Sequence, residues 1–186
     1  ETDFTWRKGI EYYVNGEKEK AFFALGHILH LIEDMSVPDH TRNDPHPGDS
    51  PYENWTDKFK LDNKDLNLSA RLTGKSPMQL NNLNSYFEGL AKYSNNNFYS
   101  KDTISGYFLP QADYFRTEND GKSYGIKIDN EFGDYPIVRA SGVFSFNNDE
   151  LLNRPTIMSQ YWSRLSIKAV QYGAGVVNLF FREAEA

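Results

Sequence analysis

Apolar residues recur at helical spacing near the start of the chain. One helix is predicted over 3–14 and a second over 17–35, with Asn15-Gly16 as the stop signal between them. The apolar positions of the second helix follow one another at intervals of three and four residues: Phe22, Leu25, Leu29 and Ile32. Pro38 is expected to end this helix, because proline cannot donate the helical hydrogen bond.

The later part of the chain predicts three more segments. Helix is expected from Pro51 through Trp55 and Phe59, and again over 77–93, where Asn95-Asn96-Asn97 would end it. Residues 62–76 are polar and turn-prone. The closing part of the chain returns to helix, and its long apolar face consists of Met158, Trp162, Leu165, Ala169, Tyr172, Val176 and Phe180.

Residues 111–146 change in character. Asp120-Gly121 lies between Tyr114-Phe115 and the alternating segment 124–128, which is a signal for a β-hairpin. Five further apolar residues could add strand: Ile137, Val138, Val143, Phe144 and Phe146. The pattern predicts a mainly α, single helical domain over 1–186, with a small β-hairpin insertion near 111–146. This insertion could shape a specificity rim or cap the helical bundle, and the cap is favoured.

The composition excludes several classes of protein and site. The chain has 186 residues, 39% of them hydrophobic and 25% charged, which is typical of one globular domain. It has no cysteine, so disulfides and zinc–thiolate sites are excluded. No apolar run approaches the roughly 18 residues needed to span a bilayer. The net charge of −6 argues against a broad clamp on a nucleic-acid backbone, which Lys and Arg would have to supply.

All four histidines lie between residues 27 and 46. His30 and Asp34 stand one turn apart on the same face of the predicted helix. His40 follows the turn, and Glu53 opens the next helix. His, Asp and Glu side chains without cysteine suit zinc in an open, catalytic type of site. The alternative for the helical pair is an ordinary hydrogen-bonded surface pair.

Three parts of this region resemble the bacterial zinc-dependent phospholipase C family, whose fold is shared by single-strand-specific fungal nucleases. They are the run from Ala24 to Asp34, the segment Pro38-Asp39-His40, and Tyr52-Glu53-Asn54. The resemblance covers about residues 20–60. It implies a helical bundle of the zinc-dependent phospholipase C type, and phosphodiester hydrolysis by metal-activated water at one to three Zn²⁺ ions.

The resemblance also implies roles for individual residues. His30 and Asp34 match ligands of a bridged zinc pair, and His40 and Glu53 match ligands of the remaining zinc. Asp34 is the expected catalytic residue, because it would bridge or bind the paired ions. Arg42 could touch a phosphate oxygen or simply be solvated.

The chain departs from the family pattern in two places. Where the family has a His four residues before the Glu, this chain has Asp49. Either Asp49 or His46 would then be the ligand. His46 is favoured, because Pro47-Gly48 allows a tight loop. The family also draws ligands from upstream, but residues 1–26 contain no His. The chain is therefore expected to be the second half of such a domain, or a variant with a reduced metal set.

The other histidine and three acidic side chains of this region are not expected to bind metal. His27 is expected to be a core residue or a supporting neighbour of the site. Asp39, Asp44 and Glu33 are expected to be solvated charges.

The expected function is a phospholipase C-like hydrolase acting on a phospholipid or related phosphodiester, in the secreted or cell-envelope fraction of a bacterium. Nucleic acid is a less favoured substrate, and transient contact with a membrane surface fits the lipid substrate. Two alternatives stay open. One is a non-catalytic binding or surface module with a partial zinc site, and the other is a nuclease of the same fold.

Overall fold

The computed structural model describes residues 3–42, 44–45, 50–57, 68–100, 110–140 and 155–186. Helices and strands follow in this order: α1 (Trp6–Val14), α2 (Lys18–Asp34), α3 (Pro38–Thr41), α4 (Pro51–Asp57), α5 (Leu68–Leu72), α6 (Leu83–Asn97), β1 (Tyr114–Thr117), β2 (Ser123–Lys127), β3 (Tyr135–Arg139) and α7 (Pro155–Ala184). The described part of the chain is mainly helical with one small antiparallel sheet, in agreement with the predicted fold class.

Helices α1 and α2 form a hairpin close to the predicted bounds. Thr5 caps α1 by accepting a hydrogen bond from the Lys8 amide, and Gly16 adopts a φ of 81° in the connection, a left-handed value that favours glycine. The inward face of α2 consists of Ala21, Ala24, Leu25, Ile28 and Ile32. Phe22, which was predicted on this face, lies at its edge and is 47% exposed.

Pro38 begins a helix instead of ending one. Helix α2 stops at Asp34, and Pro38 then opens α3 in its first turn, where the missing amide hydrogen bond costs nothing. The predicted end of α2 before Pro38 is confirmed, but the predicted cause was wrong. As a result, His40 lies on a helical turn.

The prediction of helix over 77–93 was wrong at both ends of α6. The helix begins after Asn82, whose Oδ1 accepts a hydrogen bond from the Ser85 amide at 2.9 Å. It continues through Asn95, whose side-chain Nδ2 donates to the carbonyl of Thr41 at 2.7 Å. Tertiary contacts therefore override the weak helix propensity of asparagine.

Along the chain, helices α4 and α5 follow α3 and precede α6. Helix α4 begins at Pro51 as predicted, while the expected end at Phe59 lies outside the described residues. Helix α5 falls within 62–76, which was predicted to be turn-prone, so that prediction was wrong for this short turn of helix.

The predicted hairpin is present and is extended by a third strand. The sheet order is β1-β2-β3, with both pairs antiparallel. Gly121 has a φ of 73° in the turn between β1 and β2, and the Tyr124 hydroxyl donates to Asp120 at 2.7 Å. Ile137 and Val138 lie in β3. The other predicted strand residues lie outside the described residues: Val143, Phe144 and Phe146.

Helix α7 joins two clusters of buried side chains. Its first half packs on the sheet. This cluster includes Ile126, Ile137, Ile157, Met158, Tyr161 and Leu165. Its second half packs on α2 and α6, and that cluster includes Leu25, Ile32, Leu90, Tyr172, Val176 and Phe180. Of the helices in the described ranges, none is both long and apolar enough to cross a membrane.

Candidate metal centre

The last turn of α2 supplies His30 and Asp34. Four residues apart on one helix, their side chains share a face, and His30 Nε2 lies 3.9 Å from Asp34 Oδ2. The imidazole of His30 is 73% exposed, whereas the carboxylate of Asp34 is 28% exposed. The predicted pairing on one helix face is therefore confirmed.

Helices α3 and α4 bring His40 and Glu53 to the same place. His40 Nδ1 lies 3.5 Å from Asp34 Oδ1, and His40 Nε2 lies 3.5 Å from Glu53 Oε1. One imidazole therefore stands between two carboxylates from different helices. The structure brings His30, Asp34, His40 and Glu53 together in that order, as a chain of neighbouring side chains.

The separations in this chain of four are longer than hydrogen bonds. An N–H···O hydrogen bond measures about 2.7–3.2 Å. Two ligands on a tetrahedral zinc ion with bonds of about 2.0–2.1 Å are about 3.3–3.4 Å apart. The two contacts of His40, both 3.5 Å, are close to that second value.

The four side chains do not form a closed cage. In the part of the chain that the structure describes, no group of three His, Asp or Glu side chains converges in a way that could hold a metal ion. His46 and Asp49, the two competing candidates for a further ligand, lie outside the described residues.

The donor chemistry of the four residues fits zinc. All donors are imidazole nitrogens or carboxylate oxygens, which zinc accepts. A histidine that binds a metal usually places its other ring nitrogen against a carboxylate, which fixes the orientation of the ring. His40 approaches that arrangement, because Nε2 faces Glu53 and Nδ1 faces Asp34, although both separations of 3.5 Å exceed a hydrogen bond.

Two carboxylates that were expected to be solvated are buried: Asp39, which precedes His40 in the chain, and Asp44. Asp39 is 1% exposed and Asp44 is 4% exposed, so those predictions were wrong, whereas Glu33 is exposed as expected. Asp39 Oδ2 accepts a hydrogen bond from Ser50 Oγ at 2.9 Å. Sequence reasoning missed Ser50, although its spacing from Glu53 is that of a helix capping box.

Arg42 is not solvated. Its side chain is fully buried and donates to the backbone carbonyl of Asn95, while Asn95 donates back to the carbonyl of Thr41. Burial lowers the pKa of the Arg42 guanidinium from its ordinary value. This reciprocal pair ties α3 to α6 and so fixes the turn that carries His40.

His27 lies on the surface of α2, not in the core. Its ring stacks on Phe4 at a centroid distance of 4.7 Å and meets the edge of Phe23 at 5.0 Å. The prediction of a core or supporting position was therefore wrong. Phe23 itself is 58% exposed, so the three rings form an aromatic surface patch.

A cleft of about 360 Å³ opens beside His30 and Asp34. It lies between α2, α4, α5 and α7, and its apolar wall consists of Val37, Tyr52, Leu68, Trp162, Ala169 and Val170. Burial raises the pKa of the Tyr52 hydroxyl above its usual range. Sequence reasoning assigned Trp162 and Ala169 to the core; no local pattern marks them as cleft residues.

No family model, curated protein sequence or solved structure matches this chain. The functional interpretation therefore depends on the residues of the chain itself.

Proposed function

We propose that this protein is a zinc-dependent phosphodiester hydrolase of the phospholipase C type. The observation that carries this proposal is the position of His40 between Asp34 and Glu53, with His30 next to Asp34 and a cleft alongside. A surface pair would account for His30 and Asp34 alone. It would not account for a third and fourth donor arriving from two other helices.

Each side chain has a distinct role in this proposal. His40 and Glu53 would hold one zinc ion through Nε2 and Oε1, and His30 and Asp34 would hold the other or a bridged pair. Asp34 would also orient the His40 ring through Nδ1. Zinc, when bound, supplies the Lewis acidity that polarises a phosphoryl oxygen and activates water.

The cleft supports a substrate with an apolar part. His30 and Asp34 line it, and its apolar wall is made of rings and aliphatic side chains, with a few hydroxyl groups and Glu33 completing the lining. A phosphodiester whose apolar group enters the cleft would place its phosphate beside Asp34. Phospholipids have this construction, and contact with a membrane surface would deliver them. The net charge of −6 favours them over nucleic acid. A secreted or cell-envelope location belongs to the same proposal.

A chromogenic phosphodiester tests the proposal. The wild-type protein, Asp34→Asn and His27→Ala are loaded with zinc and assayed with bis(p-nitrophenyl) phosphate. We expect zinc-dependent hydrolysis by the wild type and by His27→Ala, and loss of activity in Asp34→Asn. Fewer than two bound zinc ions together with no hydrolysis by the wild type would contradict the proposal. Phosphatidylcholine and single-stranded DNA are tested in parallel, and cleavage of DNA alone would favour a nuclease.

A second candidate function is a non-catalytic module that keeps one zinc ion. The observation that favours it is the lack, among the described side chains, of any three His, Asp or Glu donors that converge. One zinc ion per chain without hydrolysis of any of the three substrates would support this candidate.

A further inference from the structure

Ser50 lies buried at the junction of α3 and α4. It is 1% exposed, and its hydroxyl donates to Asp39 Oδ2 at 2.9 Å. The same oxygen accepts a hydrogen bond from the Glu53 amide at 3.1 Å. Asp39 is the residue before His40, so one hydroxyl links the neighbour of His40 to the backbone of Glu53.

The chemistry of a hydroxyl group explains why this link has a fixed direction. Serine offers one proton and two lone pairs. Because Asp39 takes the proton, a lone pair is left for the Glu53 amide. A bond to a carboxylate is stronger than one between neutral groups, and both side chains are removed from solvent, where an unmade bond is costly.

The link fixes how two helices present their side chains. Asp39 belongs to α3, and the Glu53 amide is in the first turn of α4. Ser50 therefore both caps α4 and ties it to α3. His40 and Glu53, which approach to 3.5 Å, are the side chains that these two helices bring together.

We infer that Asp39 and Ser50 are positioning residues for the His40–Glu53 pair. Neither is among the proposed ligands, and they act by fixing the Glu53 backbone relative to α3. This inference rests on the proposed function, since it assigns the pair to a zinc ion. Partners that orient metal ligands typically change metal affinity by about 10–100-fold when they are removed.

The test compares three serine variants of the whole protein. Ser50→Ala removes the hydroxyl, and Ser50→Thr keeps it. Ser163→Ala removes another buried hydroxyl, which is 3% exposed and donates within α7 to the carbonyl of Gln160 at 2.9 Å. Zinc affinity is measured by competition with a chromophoric chelator, and the folded fraction by circular dichroism. Amide exchange of Glu53 is followed without metal.

We expect Ser50→Ala to bind zinc roughly 10-fold more weakly than wild type. Ser50→Thr and Ser163→Ala are expected to stay close to wild type. The Glu53 amide should lose protection only in Ser50→Ala. The positioning role is wrong if wild type binds zinc and Ser50→Ala binds it equally well. It is also wrong if Ser50→Ala does not fold and Ser50→Thr, although folded, loses zinc affinity. If wild type binds no zinc, the proposed function fails, and the positioning role fails with it whatever the amide exchange shows.

Discussion

His40 Nε2 lies 3.5 Å from Oε1 of Glu53, although the two residues come from different helices. The opposite nitrogen of the same ring lies equally far from Asp34. An imidazole placed between two carboxylates in this way is suited to bind a cation through one nitrogen while the other is held in place. This relationship is the geometric basis of the proposed zinc centre.

Removal of the His40 ring should weaken zinc binding. We expect His40→Ala to lower zinc affinity by at least about 10-fold, because a ligand is lost. His27→Ala provides the matched control, since His27 is exposed and stacks on Phe4. Equilibrium dialysis with zinc analysis measures both variants. Equal zinc content in His40→Ala and wild type would remove His40 from the ligand set.

Loss of Asp129 should destabilise the fold strongly. Asp129 Oδ2 lies 2.8 Å from Nε of Arg164, whose side chain is only 2% exposed and stacks 3.9 Å from the centre of the Tyr135 ring. In Asp129→Ala the buried guanidinium loses its carboxylate, so the free energy of unfolding should fall by about 3 kcal/mol. Urea unfolding measures this change. Asp134→Ala, at an exposed residue, should cost less than about 1 kcal/mol.

Two glycine variants should shift stability in opposite directions. A Cβ at Gly175 would collide with the Met78 carbonyl and the Tyr86 ring, so Gly175→Ala should cost about 2–3 kcal/mol. A Cβ at Gly26 meets nothing within 4 Å on α2, so Gly26→Ala should stabilise the protein by up to about 1 kcal/mol. Thermal unfolding of the two variants measures both effects. A stabilised Gly175→Ala would show that the packing of α7 on Met78 is wrong.

Glu131 should contribute stability that depends on pH. Burial opposes its ionisation, but hydrogen bonds from Lys168 at 2.8 Å and Lys75 at 2.9 Å hold the pKa of Glu131 below its ordinary value of 4.5. A lowered pKa stabilises the fold above pH 4.5, and this stabilisation disappears as pH falls through the folded-state value.

The matching experiment is urea unfolding of Glu131→Gln at several pH values. Since Glu131 is 42% exposed, the loss at pH 7 should be only about 0.5–1 kcal/mol, and it should shrink toward zero in acid. Glu88→Gln, at an exposed residue of α6, serves as the control. A Glu131→Gln effect that stays constant with pH would contradict the role of the two lysines.

The sequence predicted the elements that follow from local pattern. Helical spacing located α2, and Asp120-Gly121 located the hairpin. The end of α6 could not be predicted, because Asn95 is held in the helix by a contact to Thr41, far away in sequence. The burial of Arg42 was missed for the same reason: its partner is the carbonyl of Asn95.

The site shows the same division. The spacing of His30 and Asp34 was enough to place both on one helix face, whereas the family resemblance implied His40 and Glu53 as the remaining pair. Ser50 and the cleft residue Val170 were not predicted, because they reach the site through packing between helices.

The zinc content of the purified protein tests the central claim most directly. Wild type and Asp34→Asn are saturated with zinc at neutral pH, dialysed against metal-free buffer and analysed by mass spectrometry for metal per chain. We predict at least two zinc ions per chain in wild type and fewer in Asp34→Asn. A wild type that retains no zinc, or an Asp34→Asn variant that retains as much as wild type, would contradict the assignment of these residues as a metal centre.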